Sequence, residues 1–343
     1  LSAVDAGAST LAVCNTIDSA RVLFDELTGS RRSLLSVGDI YADELDSVDT
    51  TADIDPEALA TRIKNQSDAS ILHLSTRLRP LDRLKLIETA KELTADEHGL
   101  ITISTQLIEA GVDISFNRVY RDLAPIDSIV QAAGRCNRSF EREQGQVVIW
   151  WLDVPDEQKK TPAEAVYNRG TTLLPVAAET LDSVREADIP LSETAVARTA
   201  VTEYYRRLHI DKNVGKQEYV EYVDDLRGDE LRELSLIDQR NAVDIIICRT
   251  DAERTQVEQV REAWKQYDFD RVRRLMDELK ELRVSMPIYR GESDKKEKIG
   301  QLNQVHEDTD VLCLDVREHG LSQYFDRNTG FVIPDSTAER RII

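Results

Sequence analysis

The sequence predicts an α/β protein with a parallel sheet covered by helices on both faces. A helical region and a small mixed α+β domain are predicted to follow it. Short apolar runs alternate with amphipathic segments along residues 1–154. These runs are apolar throughout rather than at every second position, which indicates strands buried on both faces. The alternation stops at Asp153-Val154-Pro155, where a mostly helical stretch begins.

Each element of the first half has its own signal. A strand is predicted at 11–15, and the helix after it can begin at Thr16 or Asp18, both good N-cap residues. Residues 38–55 are rich in Asp, Ser and Thr and are predicted to form a solvated insertion. Asp55-Pro56-Glu57 opens a helix with proline in its first turn. The remaining predictions are strands at 71–75, 100–105, 118–123 and 146–152, and helices at 80–93 and 126–136.

The second half is predicted to be helical first and mixed afterwards. Residues 155–240 form a helical linker region, in which Ser192 is a suitable N-cap for the clearest helix. Residues 241–343 contain a strand ("VDIIIC"), two charged helices at 252–267 and 269–283, and three further short strands ("VSMPIY", "VLCLD", "GFVIP"). The predicted domains are therefore 1–154, 155–240 and 241–343.

Charge limits the classes of partner. The chain has 44 basic and 64 acidic residues, a net charge of −20. Nucleic acid is held largely through Lys and Arg contacts to phosphate, so any such function must depend on local basic patches. An acidic, lysine-poor surface also fits a protein that stays soluble at high salt. Four widely spaced cysteines predict a reduced, cytoplasmic chain, and no apolar run is long enough to span a membrane.

Polar side chains stand directly after three of the predicted strands. In open parallel sheets, ligands bind at the carboxyl ends of the strands. Small hydroxyl and amide groups and helix-start N–H groups there suit phosphate contacts. Any one such residue is usually an ordinary N-cap, but three on one sheet edge favour a phosphate-bearing ligand. The candidates are Asn15 and Thr16, Ser75, and Thr105 and Gln106.

The stretch 104–138 holds the other candidates. Gly111 places a permissive backbone beside the carboxylate of Asp113, which suits contact with a ribose or the orientation of an arginine. Gln131, Arg135 and Arg138 lie at helical spacing, on one face if the helix continues. Two guanidinium groups there could clamp a phosphate chain. The alternative, two solvated surface arginines, is the usual reading of a lone Gly-Arg pair.

Several motifs in this half resemble those of superfamily 2 helicases. "TQLIEAGVDI" looks like motif V, "QAAGRCNR" like motif VI and "LAVCNTIDSA" like motif IV. The variant with "YRDLAPIDSIVQAAGRCNR" is similar to the CRISPR-associated helicase-nuclease that degrades DNA for type I interference complexes. The resemblance is strong over 11–152 and specific over 104–138, and it implies a RecA-like fold for 1–154.

The resemblance also implies roles for the candidates. Arg135 and Arg138 would face the phosphates of ATP, with Arg138 the preferred arginine finger. Gln131, Gly111 and Asp113 would line the same cleft. The strand-end residues would touch the backbone of a tracking single DNA strand. The implied activity is ATP-dependent 3′→5′ translocation along single-stranded DNA, with Mg²⁺ accompanying the nucleotide.

Two parts of such an enzyme are missing from the sequence. No Gly-x-x-x-x-Gly-Lys-Ser/Thr loop is present, and no histidine is followed by aspartate, as the family's nuclease domain would need. We therefore expect a Walker lobe and an HD nuclease domain upstream, and a type I CRISPR interference complex as partner. No metal site is predicted within this chain.

Two other functions remain open. The chain could be the second lobe of another superfamily 2 motor, such as a repair helicase, or a non-catalytic module that binds nucleic acid or a partner. In the C-terminal domain, Trp264 and Tyr267 are candidates for stacking on bases, although an aromatic pair at this spacing is more often part of a core.

Overall fold

The computed structural model describes residues 7–30, 34–109, 112–138, 145–152, 160–167, 172–187, 193–211, 217–228, 242–288, 293–318 and 320–334. The domain boundaries predicted after 154 and after 240 fall outside these ranges, as does Ser192.

A six-stranded, fully parallel sheet forms the first half, as predicted. Its spatial order is β2-β3-β4-β1-β5-β6. Both central strands, β1 and β4, are almost entirely buried, which explains why they are apolar at successive positions. The strands are β1 Thr10–Val13, β2 Leu35–Ser36, β3 Ala69–Leu74, β4 Gly99–Ser104, β5 Arg118–Asp122 and β6 Gln146–Trp150.

Helices cover both faces of this sheet, so the RecA-like α/β prediction is confirmed. One face packs Ile71, Ile101 and Ile103 against Phe24 of the first helix. The opposite face packs against helices that follow β2 and β3. The helices are α1 Ile17–Ser30, α2 Val37–Leu45, α3 Pro56–Lys64, α4 Pro80–Ala95 and α5 Ile126–Ala133.

The predicted solvated insertion at 38–55 is wrong. Val37–Leu45 forms α2, and Thr51–Asp53 forms a 3-10 helix. Beneath the many Asp and Ser residues, Val37, Ile40, Tyr41 and Leu45 recur at helical spacing and are all buried. Counting polar residues hid this apolar stripe, which packs in the main core of the sheet.

A second group of helices packs against α5. Leu123, Ala124, Ile126 and Ile129 share one buried cluster with apolar residues of the following helices, including Tyr204. The helical linker is therefore not a detached bundle: it shares a core with the end of β5 and with α5. Its helices are α6 Pro162–Val166, α7 Leu173–Glu186, α8 Glu193–Asp211 and α9 Gln217–Asp224.

The C-terminal part is a mixed α+β unit, as predicted. A four-stranded sheet in the order β8-β7-β10-β9 pairs β7 with β10 in parallel and the others antiparallel. The predicted strand at 330–334 is shorter and belongs to a hairpin. The elements are β7 Ala242–Cys248, α10 Asp251–Lys265, α11 Phe269–Glu278, β8 Arg283–Pro287, α12 Ser293–Ile299, β9 Asn303–Gln304, β10 Leu312–Asp315, β11 Phe325–Asp326 and β12 Gly330–Phe331, with 3-10 turns at Leu279–Leu282 and Ser322–Tyr324.

A buried charge network joins the two sheets. Arg79, at the start of α4, is fully buried and forms ion pairs of 2.7 Å with Asp82 and with Glu253 of α10. Its remaining N–H groups donate to the Thr51 hydroxyl and the Ile247 carbonyl. All five guanidinium protons therefore have acceptors, which is what a buried arginine requires.

The hairpin β11–β12 makes a second junction. Phe331 donates its backbone N–H to the Arg77 carbonyl at 2.9 Å. Gly330 has φ of +83°, and a Cβ there would lie 2.4 Å from the Arg77 oxygen. Glycine is needed at this position on both counts. Asn328 contacts Ser36 and donates to Asp39 of α2.

Candidate functional site

The strand-end residues meet at one edge of the parallel sheet, because its strands all run the same way. Asn15 and Thr16 follow β1, Ser75 follows β3, and Thr105 and Gln106 follow β4. Gln106 donates its side-chain amide to the Asn15 carbonyl at 3.2 Å, joining the ends of two adjacent strands. The sequence correctly placed these five residues along one edge.

Burial divides these residues into two groups. Asn15, Ser75 and Thr105 are at most 5% exposed, whereas Thr16 and Gln106 are half-buried. The Thr16 hydroxyl accepts the backbone N–H of Ser19 at 3.1 Å, as an N-cap does. In this arrangement only Thr16 and Gln106 offer side-chain atoms to a ligand, and the other three fix the shape of the edge.

The Asn15 side chain is fully occupied inside the protein. Its amide donates to an Asp122 carboxylate oxygen at 2.7 Å and to the Leu123 carbonyl at 2.8 Å, and its oxygen accepts from Arg121 at 2.6 Å. Direct contact between this side chain and DNA, as the resemblance implied, would require breaking all three bonds. The geometry gives Asn15 a structural place at the strand end.

Arg121 and Glu109 were missed by sequence reasoning. Arg121 is fully buried and forms a 2.9 Å ion pair with Glu109, which follows β4. Burial raises the pKa of Glu109, and the charge of Arg121 opposes that shift. An arginine within a strand of otherwise buried residues is itself a signal, because a charge there needs a buried partner.

Arg135 is buried rather than facing solvent. Its Nε donates to the Ile108 carbonyl at 3.1 Å and its Nη2 to the Glu109 carbonyl at 2.7 Å. Burial lowers the pKa of Arg135, and the nearby positive charge of Arg138 lowers it further. Arg135 thus ties the motif VI segment to the 3-10 turn Gln106–Glu109 after β4.

The expected single helical face does not exist. α5 ends at Ala133, and Asn137 has φ of +48°, a left-handed conformation that no continuous helix contains. Gln131 stays on the helix and is exposed, whereas Arg135 and Arg138 lie in the turns after it. The prediction of a helix to residue 136 is therefore wrong, and the Gly134 turn after Ala133 is the reason.

Arg138 is the exposed arginine of the pair. Its side chain is 46% exposed, and its Nε lies 2.8 Å from a carboxylate oxygen of Asp113, itself 73% exposed. The structure thus brings Arg138 and Asp113 together, and Asp113 orients the guanidinium. Gly111 lies outside the described residues.

A basic cleft of about 250 Å³ opens between the parallel sheet and the C-terminal unit. It begins at Ile17, just after the Thr16 cap, and is lined by Arg21, Arg77 and Lys295 with one acid, Asp18. Arg21 and Lys295 come from segments far apart in sequence, so no local pattern could have grouped them. In a chain of net charge −20, three cations in one cleft are a local basic patch.

Comparison with known proteins identifies the family. Residues 46–141 match the family model described as "CRISPR-associated nuclease/helicase Cas3, C-terminal". The CRISPR-associated nuclease/helicase Cas3 of Haloferax volcanii is 35% identical over 317 residues, covering 82% of this chain and 33% of the relative. The chain belongs to the Cas3 family. It spans about a third of the length of that relative and matches the region that the family model describes as C-terminal.

Two further comparisons agree with this assignment. The Cas3 of Methanothermobacter thermautotrophicus is 37% identical over 78 residues, which is 23% of this chain and 9% of the relative. A crystal structure titled T. fusca Cas3-ADP superposes with a TM-score of 0.54 at 13% identity, covering 95% of this chain and 39% of that one. The second comparison shows that the Cas3 fold is shared.

The described ranges offer neither a cluster of metal ligands nor a membrane-spanning helix. No group of three or more His, Cys, Asp or Glu side chains there is placed to hold a metal ion. No helix of those ranges is long and apolar enough to cross a membrane. The four cysteines are buried thiols outside any disulfide. His73 is 1% exposed and packs edge-on against Phe24.

Proposed function

We propose that this Cas3-family chain is the second motor lobe and C-terminal domain of an ATP-dependent 3′→5′ single-stranded DNA translocase. The enzyme would act in type I CRISPR interference, in the cytoplasm. The observation that carries the proposal is the exposed Arg138, held by Asp113 in the turn that follows α5. An arginine so placed can reach a phosphate bound from outside the chain.

Arg138 suits an arginine finger better than Arg135 does. Its ion pair with Asp113 is exposed, and such pairs contribute at most about 1 kcal/mol, so a phosphate can replace the carboxylate cheaply. Arg135 would first have to leave two backbone carbonyls in a buried site. We assign Arg138 to the phosphates and Arg135 to positioning. Gln131, Gly111 and Asp113 are proposed to border the same nucleotide.

ATP would be bound between this lobe and an upstream Walker lobe. The residues present fit one wall of such a site: they supply an exposed guanidinium and its carboxylate partner, but no phosphate-cradling loop. Mg²⁺ and the Walker lysine are proposed to come with the upstream lobe, and the HD nuclease domain to precede it. Solved Cas3 structures titled with ATP, AMPPNP and ADP support nucleotide as the ligand.

The DNA track is proposed to follow the sheet edge into the basic cleft. The half-buried side chains of Thr16 and Gln106 lie at the edge, and Arg21, Arg77 and Lys295 line the cleft beside it. The buried residues Asn15, Ser75 and Thr105 would shape this edge from beneath, presenting backbone groups to the strand. Phosphate contacts of this kind hold any sequence, as a translocase requires.

One substitution in the full-length protein tests the motor assignment. Arg138→Ala should lower DNA-stimulated ATP hydrolysis about a thousandfold, because it removes a charge that stabilises the transition state. Binding of single-stranded DNA should stay within a few-fold of wild type. Arg62→Ala is the matched control, since Arg62 is also exposed and ion-paired, with Glu44. It should leave hydrolysis unchanged.

The alternative outcomes separate the functions. Full ATPase activity in Arg138→Ala would contradict the motor assignment and favour a non-catalytic module that binds nucleic acid. Arg135→Ala should lower hydrolysis together with the denaturation midpoint, because it breaks two buried hydrogen bonds. The direction of travel is read by displacement of streptavidin from either end of a biotinylated strand. Displacement from the 3′ end only would contradict 3′→5′ movement.

A further inference from the structure

Two aromatic side chains project into solvent at the turn between α10 and α11. Tyr267 is 79% exposed and Phe269 is 61% exposed. Their ring centroids lie 6.4 Å apart at an interplanar angle of 73°, so the rings form an edge-to-face pair. The rings are largely outside the core, whereas neighbouring Val272 and Leu275 are buried.

The backbone of Tyr267 has a left-handed conformation that is unusual for a tyrosine. This residue has φ of +58°. Its N–H donates to the Trp264 carbonyl, and the Asp268 N–H donates to the Ala263 carbonyl. This pattern ends a helix with a left-handed residue, and glycine is the residue that adopts it without strain. A tyrosine here costs backbone energy and buries little apolar surface in return.

Two arginines follow the rings on α11, and Arg273 lies one helical turn after Phe269. Arg273 and Arg274 are exposed on α11. Within the part of the chain that the structure describes, no ion pair or side-chain hydrogen bond involves either of them. Asp270 lies three and four residues before them but does not pair with either in this structure. The Asp268 carboxylate is occupied with the N-cap of α11, where it accepts the Arg271 N–H.

The size and charge of the surface around Tyr267 and Phe269 indicate which class of partner could bind there. A Tyr and a Phe can bury roughly 150–250 Å² each, well below the roughly 800 Å² per partner of an ordinary protein interface. The surrounding residues are charged or polar, so no larger apolar area extends the patch. Two exposed rings, followed on the same helix by two unpaired guanidinium groups, match a single nucleic-acid strand, whose bases stack and whose phosphates are anionic.

We propose that Tyr267, Phe269, Arg273 and Arg274 form a base-stacking site for single-stranded DNA on the C-terminal unit. It is separate from the sheet edge and the basic cleft, and we name these four residues the stacking patch. The two rings would stack on successive bases, while the two arginines contact the phosphates beside them. The choice of DNA rests on the proposed function, but the stacking chemistry rests on the patch alone.

The test uses full-length protein with Tyr267→Gly and Phe269→Ala together. Glycine suits the left-handed conformation at 267, so this change removes the ring without straining the turn. Affinity for a fluorescein-labelled 30-nucleotide oligothymidine should fall about tenfold or more for each ring lost. Tyr205→Ala is the matched control, because Tyr205 is 51% exposed on α8 and away from the patch. It should leave that affinity unchanged.

Photocrosslinking distinguishes direct contact with DNA from an indirect effect of a misfolded variant. Oligonucleotides that carry 5-iodouracil should crosslink to a peptide containing Tyr267 or Phe269, found by mass spectrometry. Arg273→Gln with Arg274→Gln should reduce the slope of log affinity against log salt concentration by about 1.4, or 0.7 per lost contact. Unchanged affinity in the aromatic variant together with no crosslink would overturn the inference. Loss of binding to an interference complex with DNA affinity unchanged would also overturn it, in favour of a protein partner.

The motor assignment and the stacking patch can each be refuted without refuting the other. If Arg138→Ala keeps its ATPase activity while the patch crosslinks, only the motor assignment is wrong. If Arg138→Ala loses ATPase activity and the patch does not crosslink, only the stacking patch is wrong.

Discussion

Arg79→Met should destabilise the protein more than any surface substitution of an arginine. The wild-type side chain is fully buried and holds two buried carboxylates, those of Asp82 and Glu253. Methionine fills similar space but leaves Glu253 without its cation and Asp82 with only Arg249, at 3.4 Å. Breaking a buried pair in this way typically costs about 3–5 kcal/mol.

The pKa of Asp82 gives an independent estimate of the unfolding free energy that depends on Arg79. Burial raises this pKa, but the charges of Arg79 and Arg249, with hydrogen bonds from Arg79 and Tyr41, outweigh burial and lower it from 3.8 to about 2. That shift corresponds to roughly 2 kcal/mol of stabilisation, shared among these partners. The unpaired Glu253 adds to the loss, so a total of roughly 3–5 kcal/mol is consistent.

The pKa of Asp82 also predicts how the destabilisation caused by Arg79→Met changes with pH. In the wild type, the lowered pKa of Asp82 gives stability that is present above pH 3.8 and is lost as pH falls through about 2. In the variant, the Asp82 carboxyl loses the nearer of its two cations while burial still raises its pKa, so this pKa lies above the wild-type value. Protonation then costs the folded variant less than the wild type as pH falls toward 4, so the difference from wild type should narrow on acidification.

The assay is urea unfolding at pH 7 and at pH 4.5, followed by tryptophan fluorescence and by circular dichroism. Arg62→Met is the control, because its pair with Glu44 is exposed and should contribute no more than about 1 kcal/mol. A loss below about 1 kcal/mol for Arg79→Met at pH 7 would refute the reasoning. A difference that widens at pH 4.5 would refute it as well.

Three further predictions concern stability. Gly330→Ala should cost about 1–2 kcal/mol in urea unfolding, because φ is +83° and the new Cβ would meet the Arg77 oxygen, whereas Gly29→Ala in the open part of α1 should be neutral or stabilising. Burial lowers the pKa of His73 from 6.5 to about 4, so the folded protein loses stability as pH falls from 6.5 through 4. His73→Leu should remove roughly 2 kcal/mol of this loss at pH 4.5. An unchanged slope of unfolding free energy against pH would contradict this prediction. The acidic surface should raise the refolding yield in molar KCl, and a yield that falls or stays constant would count against the high-salt hypothesis.

Much of the fold could be predicted because its signals are local. Apolar runs such as 100–105 and 71–75 gave buried parallel strands, and the strand-end residues followed from strand direction alone. α2 was missed because Asp and Ser residues dilute its apolar stripe, although that stripe has helical spacing. Its contact with the β11–β12 hairpin could not be predicted locally, because Asn328 and Asp39 lie far apart in the sequence.

The candidate site was predictable in its membership but not in its geometry. The sequence correctly brought Arg138 near Asp113, and it placed Arg135 beside them. It did not show that Arg135 turns inward to two carbonyls, since the helix end at Ala133 depends on the turn that follows. The role of Arg121 also depends on partners from other strands, so only the folded sheet shows it.

The β11–β12 hairpin has a consequence for the order of folding. Asn328 bonds to Asp39 across 289 residues of sequence. During synthesis at roughly 5–20 residues per second, α2 would wait about 15–60 s for this cover. Closing a loop of this length costs only slightly more free energy than closing one half as long. The long separation therefore slows folding and has little effect on stability. Until the hairpin is made, the polar side of α2 stays open to solvent, whereas its apolar stripe can already pack in the core of the first sheet, whose strands are made earlier.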